Sequence, residues 1–269
     1  MMSARSLRRA AVVGIGVALI GFVSVTAAGI SLASDSTTYQ GSDGKHLHNL
    51  AVVLFDISRS TGPNDVRAIY RDGFRNKILP FFDHGEGGLL VLAPITADSI
   101  RSFNPLEYDY PHKGGNDNPL VYRSKTRELD RRATERANAI IGGPRERNGT
   151  AILDALTAAG RYLHRRGETD HRYLVLFSDM VEQSPRGSFT RQMLTPAGTA
   201  AFIKKERSSP YFPRLSGADV YVVGAGVGGG AGAPNLPSDR IERFWQRYIA
   251  AAGGHLDPDN YGPSLIEFP

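Results

Sequence analysis

The chain has 269 residues, no cysteine, a net charge of +5 and a pI of about 9.5. The missing thiols exclude a disulfide framework, a thiolate zinc site and a cysteine nucleophile, and leave the compartment open. Hydrophobic content of 41%, charged content of 22% and one long apolar run exclude global disorder and a polytopic membrane protein.

Arg5, Arg8 and Arg9 precede an uncharged stretch over residues 10–33. As a helix this stretch would span about 36 Å, enough to cross a bilayer core. It is longer than a usual signal-peptide core, yet small residues near Ala27 and Ala33 suit cleavage. Arginines in front and none just behind keep the N-terminus inside. Residues 1–34 are therefore expected to be a single membrane anchor or a cleaved signal. Either outcome puts the rest of the chain outside the cytoplasm, membrane-held or secreted. Residues 35–48 are polar and read as a linker. Residues 49–269 are expected to form one domain.

Residues 50–56 (LAVVLFD) are a continuous apolar run ending in an acid, the pattern of a strand buried on both faces of a parallel sheet. Residues 64–79 place Val66, Ile69, Tyr70, Phe74 and Ile78 at helical spacing, with Asn64 as N-cap and Pro80 past the end. Residues 88–95 (GLLVLAPI) read as a second buried strand, 100–108 as a candidate third, and 111–119 as a loop. A helix over 124–141 ends at Gly142-Gly143-Pro144. Its interspersed Arg127, Glu128, Arg131 and Glu135 mark a solvated face. A second amphipathic helix runs from Thr150 to 163. A strand over 172–178 is again followed by an acid, Asp179. Beyond it lie a short helix over 196–207, a strand over 218–223 and a helix over 239–252. That last helix carries Ile241, Phe244, Trp245, Tyr248 and Ile249 on one side. Residues 264–268 are expected to be a final strand. The alternation predicts an α/β fold, a doubly wound, mainly parallel sheet with helices on both faces. Ligands of such sheets gather beyond the carboxyl ends of the strands, where Asp56 and Asp179 stand.

Asp56-Ile57-Ser58-Arg59-Ser60 follows the first strand directly. Alternation in an extended turn aims Asp56, Ser58 and Ser60 to one side. A carboxylate and two hydroxyls are hard oxygen ligands, suited to Mg²⁺, Mn²⁺ or Ca²⁺. Thr150 puts a hydroxyl at a helix start, and Asp179 ends a second buried strand. Taken singly, these are an Asx turn, an N-cap and a solvated acid. Their joint order on these elements argues for one site.

At these residues the chain resembles the von Willebrand factor A family. That family carries D-x-S-x-S after its first strand, a Thr before a central helix and an Asp after its fourth strand, together a metal-ion-dependent adhesion site. The resemblance covers residues 49–268. It implies that Ser58, Ser60 and Thr150 touch a divalent cation, with Mg²⁺ the first choice, while Asp56 and Asp179 act through water. It also implies an open coordination position that takes a carboxylate from a protein partner. Met180 stands where many members have Gly, and Glu182 lies close enough in sequence to alter the site's charge or reach the metal's outer shell.

The expected function is an extracytoplasmic binding module with no catalytic residue. The alternative is a metal-dependent hydrolase of the phosphoesterase kind, using Asp56 and Asp179. A G-x-G-x-x-G match over residues 224–229 does not open a helix. It runs on through Gly230, Gly232 and Pro234, so it reads as a loop and no nucleotide is expected. The basic stretch lacks interleaved aromatics, so no nucleic acid is expected.

Overall fold

The apolar run before Asp56 becomes the middle of the sheet. A computed structural model describes residues 47–83, 86–115, 117–146, 149–167, 169–227 and 236–269. Strand β1 (Leu47–Asp56) begins inside the expected linker, and its residues 50–55 are wholly buried. Strands β2 (Gly88–Ile95) and β4 (Thr169–Phe177) flank it, both parallel to it. The expected anchor or signal, residues 1–34, lies outside the described residues. Among those described, no helix is long and apolar enough to cross a membrane.

Alternation along β1 fills two cores. Leu50, Val52 and Leu54 join one cluster with Leu153, Leu156, Trp245 and Tyr248. Ala51, Val53 and Phe55 join the other with Tyr70, Phe74, Phe82, Ala137 and Ile141. Complete burial of one such aliphatic or aromatic side chain contributes about 1.5–3 kcal/mol. This double burial is why the run shows no polar alternation.

The sheet has six strands in the order β3-β2-β1-β4-β7-β8. Strand β7 is Asp219–Val223 and pairs parallel with β4. The candidate third strand is displaced: β3 is Leu106–Tyr110, an antiparallel edge, and residues 99–102 form a short helix, α3 (Ser99–Ser102). The strand expected over 264–268 is not formed. The last strand is β8 (Tyr261–Gly262), and Leu265 and Phe268 instead fill the Phe55 core from irregular chain. Chain order moves outward from β1 to β2 and β3, then returns to β4 on the opposite side. The strand order therefore reverses between β1 and β4, and loops leaving their carboxyl ends diverge around a crevice.

The helix expected over 64–79 is longer and interrupted. It runs as α1 (Asn64–Gly73), a π-helical turn (Phe74–Ile78) and α2 (Leu79–Asp83), with Pro63 rather than Asn64 at the N-cap. Pro80 does not stop it. Proline lacks an N–H and crowds the preceding turn, and the wider turn just before it absorbs that misfit. Helix α4 (Pro119–Gly142) starts earlier than expected because Asn118 caps it and Pro119 opens its first turn. Arg131 pairs with Glu128 and Glu135 on its solvated face. Helices α5 (Ile152–Arg165), α6 (Pro196–Arg207) and α7 (Ser238–Ala251) stand close to their expected spans.

A small hairpin, β5 (Gln183–Ser184) with β6 (Gly187–Ser188), was not legible in the sequence. Arg186 at its turn ties it to the helices. Its guanidinium donates to Glu206 Oε2 (2.7 Å), Asp154 Oδ1 (3.1 Å), Thr157 Oγ1 (2.8 Å) and the Tyr211 carbonyl (2.7 Å). Truncating one member of such a buried pair leaves the other charge stranded. Arg186→Met is therefore expected to lower unfolding free energy by about 3–5 kcal/mol in urea denaturation. Removing the exposed Arg131 pairs by Arg131→Met should leave the urea midpoint essentially unchanged.

Candidate functional site

The β1–β4 register sets Phe55 opposite Phe177, so Asp56 and Ser178 leave the sheet side by side. Beneath them the two phenyl rings stack at 4.9 Å, with Tyr70 and Phe74 against them. This aromatic floor lies beneath two strand ends whose spacing is set by the β1–β4 hydrogen-bond ladder. Ser178 donates to Asp56 Oδ2 at 2.7 Å, and the Ser58 N–H donates to Asp56 Oδ1 at 2.7 Å. The turn after β1 is closed by Thr61, whose hydroxyl donates to the carbonyls of Asp56 (2.8 Å) and Ser58 (3.0 Å). That closure leaves the Ser58 and Ser60 hydroxyls 3.0 Å apart on the same side.

Asp179 follows Ser178 and is 6% exposed. Its Oδ1 accepts from the Val181 N–H at 3.0 Å. The Ser60 hydroxyl stands near enough to favour the charged carboxylate, yet Asp179 Oδ2 is buried without a hydrogen-bond partner. Burial, first, and then the charge of Asp179 push the Asp56 pKa up to about 7, against hydrogen bonds from Ser178 and Ser58. Burial raises Asp179 as well. The protein thus holds two carboxylates in one dry place where they repel each other.

Met180 has φ of 63°, the left-handed conformation that glycine adopts freely. A non-glycine residue there costs roughly 1–2 kcal/mol. Complete burial of the Met180 side chain contributes about 1.5–3 kcal/mol, enough to offset it. The Met180 carbonyl also accepts from the Trp245 indole at 2.9 Å. Trp245, expected as core, thus also anchors the Asp179 loop.

Thr150 reaches the same rim by its backbone. It exchanges two hydrogen bonds with Gln183, at 2.9 and 3.0 Å. Gly149 before it has φ of 110°, and a Cβ there would lie 2.1 Å from the Gln183 carbonyl oxygen. Four residues earlier the Glu146 N–H donates to the Ile57 carbonyl at 2.9 Å, beside the Asp56 turn. Thr150 does not cap α5, which begins two residues later. Glu182 fills that role: its buried carboxylate accepts from the Leu153 N–H at 3.0 Å. Burial pushes its pKa up to about 8, opposed by Ser184 and the N–H groups of Leu153 and Ile152. Glu182 is therefore engaged at a helix N-terminus, where negative charge is favoured. The Thr150 hydroxyl makes no hydrogen bond to the other four predicted residues among the described residues.

Asp56, Ser58, Ser60 and Asp179 are thus in one cluster, and Thr150 is on the adjoining loop. Sequence reasoning missed Ser178, Thr61, Tyr70 and Arg145. Ser178 carried a signal, a buried polar residue between an apolar run and an acid. Its partner follows only from strand register. Beyond Val227 the glycine-rich stretch passes out of the described residues, and the next described helix begins at Ser238.

The fold belongs to the α/β class with a central, mainly parallel sheet. No family model matches the chain, and no curated protein matches it. Solved structures with a similar backbone include the pilus adhesin SpaC from Lactobacillus rhamnosus GG. In its open conformation it is 11% identical with a TM-score of 0.43, and in a second form 11% identical with 0.47. Each match covers 79% of this chain and 28% of the adhesin. The human COPII-coat protein Sec24c is also similar, at 11% identity and a TM-score of 0.37, over 77% of this chain and 32% of that one. This chain spans less than a third of each of these proteins, and likeness at such scores carries no functional assignment.

Raised carboxylate pKa values have a defined sign. The folded state holds the proton on Asp56 more tightly than the unfolded state, whose value is 3.8. Its contribution is fully present below that value and is lost as pH rises through about 7. In chelator, Asp56→Asn should therefore raise the melting temperature clearly at about pH 8 and little at about pH 4. Thermal denaturation at the two pH values reads this directly.

Proposed function

We propose that the chain is a von Willebrand factor A-like binding module that grips a hard divalent cation, Mg²⁺ first, at the rim between β1 and β4. The observation that supports this reading is the Asp179 Oδ2 atom. It is buried without a partner, next to a second buried carboxylate and two paired hydroxyls. Such an arrangement lacks positive charge, and oxygen donors of this kind suit Mg²⁺, Mn²⁺ or Ca²⁺. Ser58, Ser60 and Thr150 would hold the ion. Asp56 already accepts two protein hydrogen bonds, which suits it to act with Asp179 through water. When bound, the ion offsets the carboxylate pair and offers a free position to an anionic oxygen. The ligand on this reading is an acidic group of a protein partner, met outside the cytoplasm if residues 1–34 anchor or export the domain.

The hydrolase alternative is less well supported. It asks for further carboxylates or a base around the metal. Among the described residues no three His, Cys, Asp or Glu side chains gather to hold an ion, and Glu182 is committed to α5.

Calorimetric titration of the purified chain with Mg²⁺ and Mn²⁺ tests the proposal. Wild type should bind with saturation, and Asp56→Ala and Ser58→Ala should each weaken binding by about 10–100-fold. Absent binding by wild type, or unchanged binding by both variants, would refute it. Metal-dependent turnover of a generic phosphoester, abolished by Asp179→Asn, would favour the hydrolase.

A further inference from the structure

Three arginines meet on the α1 side of the same rim. Arg67 and Arg71 lie one turn apart on α1 and share a face. Arg145 arrives from the loop after α4. Its guanidinium donates to the Ile141 carbonyl and, at 3.5 Å, to the Asp56 carbonyl. Two turns mark where the side chains lie: a Cβ at Gly62 would be 3.8 Å from Arg145 Cγ, and one at Gly142 would be 3.7 Å from Arg71 Nη2. The three side chains thus gather where α1 faces the end of α4.

None of the three has a carboxylate within ion-pair distance among the described residues. Arg67 Nε and Arg145 Nε are buried donors without an acceptor. Tyr70, between Arg67 and Arg71 in sequence and 1% exposed, also has an unpartnered hydroxyl, within electrostatic reach of Arg145. Burial, and after it the charge of Arg67, disfavours the Arg145 cation, and Arg71 adds to this; Asp56 and Tyr70 oppose it.

A plainer account is that these cations neutralise the C-terminal end of α4. A helix end carries only about half an elementary charge, so it balances one guanidinium at most. The remaining charge and the unused donors call for an anion. Guanidinium forks match two oxygens of one planar or tetrahedral face, and three of them suit a dianion better than a single carboxylate. We propose that Arg67, Arg71 and Arg145 form a binding site for a tetrahedral oxyanion of the phosphate class, distinct from the Asp56 cluster and independent of any metal there.

The test is calorimetric titration of the full chain with inorganic phosphate, with chelator present so that the Asp56 cluster plays no part. Wild type should bind with saturation. Arg71→Gln and Arg145→Gln should each weaken binding by about tenfold or more, and Lys125→Gln, on the exposed face of α4, should leave it unchanged. Arg145 is partly buried and its loss could disturb folding; Arg71 is exposed, so Arg71→Gln with an unchanged circular dichroism spectrum carries the test alone. Phenyl phosphate is the second arm. If it binds as phosphate does, the site takes a phosphoryl group carried by a larger molecule; if only phosphate binds, it takes the free anion. No saturable heat with wild type, or equal binding by the Arg71 and Arg145 variants, overturns the proposal.

Discussion

Two carboxylates that cannot comfortably be charged together dominate this molecule. Asp56 and Asp179 end adjacent parallel strands at the point where the strand order reverses, and both are almost wholly buried. A solvated pair would repel weakly; in a dry environment the same separation costs several-fold more. The protein relieves part of this with neutral donors, namely Ser178, the Ser58 N–H, Ser60 and the Val181 N–H. None of these brings positive charge. Arg145 reaches the Asp56 backbone carbonyl and not its carboxylate. A fold optimised for stability alone would place hydrophobic residues or an ion pair here, so the cost points to use.

Much of the surrounding structure keeps that pair in place. The β1–β4 ladder sets the spacing of the strand ends, and the Phe55–Phe177 stack packs beneath them. Thr61 closes one loop, and Trp245 holds the other through the Met180 carbonyl. Met180 shows how the balance is struck. Its left-handed backbone is unfavourable, and its buried side chain outweighs the cost, so the Asp179 loop is rigid without glycine. Glu182 and Arg186 continue the same device. One carboxylate caps α5, and one guanidinium locks the hairpin onto α5 and α6, so the residues after Asp179 have little freedom.

The sheet core was legible because double burial writes itself as unbroken apolar runs, at 50–55, 88–95 and 173–177. Helices with one apolar face, such as α5 and α7, were legible for the same reason. Elements that depend on tertiary context were not. The β5–β6 hairpin carries only a turn signal, Ser184-Pro185-Arg186-Gly187; its two-residue strands show no apolar alternation and are held by Arg186 and its partners on other helices. Pro80 reads as a stop, and only the wider turn before it permits the helix to continue. Leu265 and Phe268 lie in an apolar stretch that reads as a strand but find their core without pairing. At the site, residue types and order pointed to Asp56, Ser58, Ser60, Thr150 and Asp179, of which Thr150 stands on the adjoining loop. Ser178 needed the strand register, and the arginines needed the approach of α1 to α4.

The charges at the rim bear on what kind of ligand it would meet. Without an ion, the carboxylate pair would repel an acidic group brought between Asp56 and Asp179 themselves. With a divalent ion in place, the two formal negative charges are cancelled. The field is then set by Arg67, Arg71 and Arg145, none of which is paired with a carboxylate among the described residues. On the proposed reading, the ion would therefore change the sign of the interaction with an acidic partner, not merely its strength. Focused positive potential at a low-dielectric crevice also raises the rate of encounter with anions, and salt weakens that effect. A catalytic site would need a base aimed at water beside the ion. The one further buried carboxylate nearby, Glu182, has both oxygens turned to Leu153 and Ser184. On the proposed reading, the chemistry of this rim is to hold an anion in place.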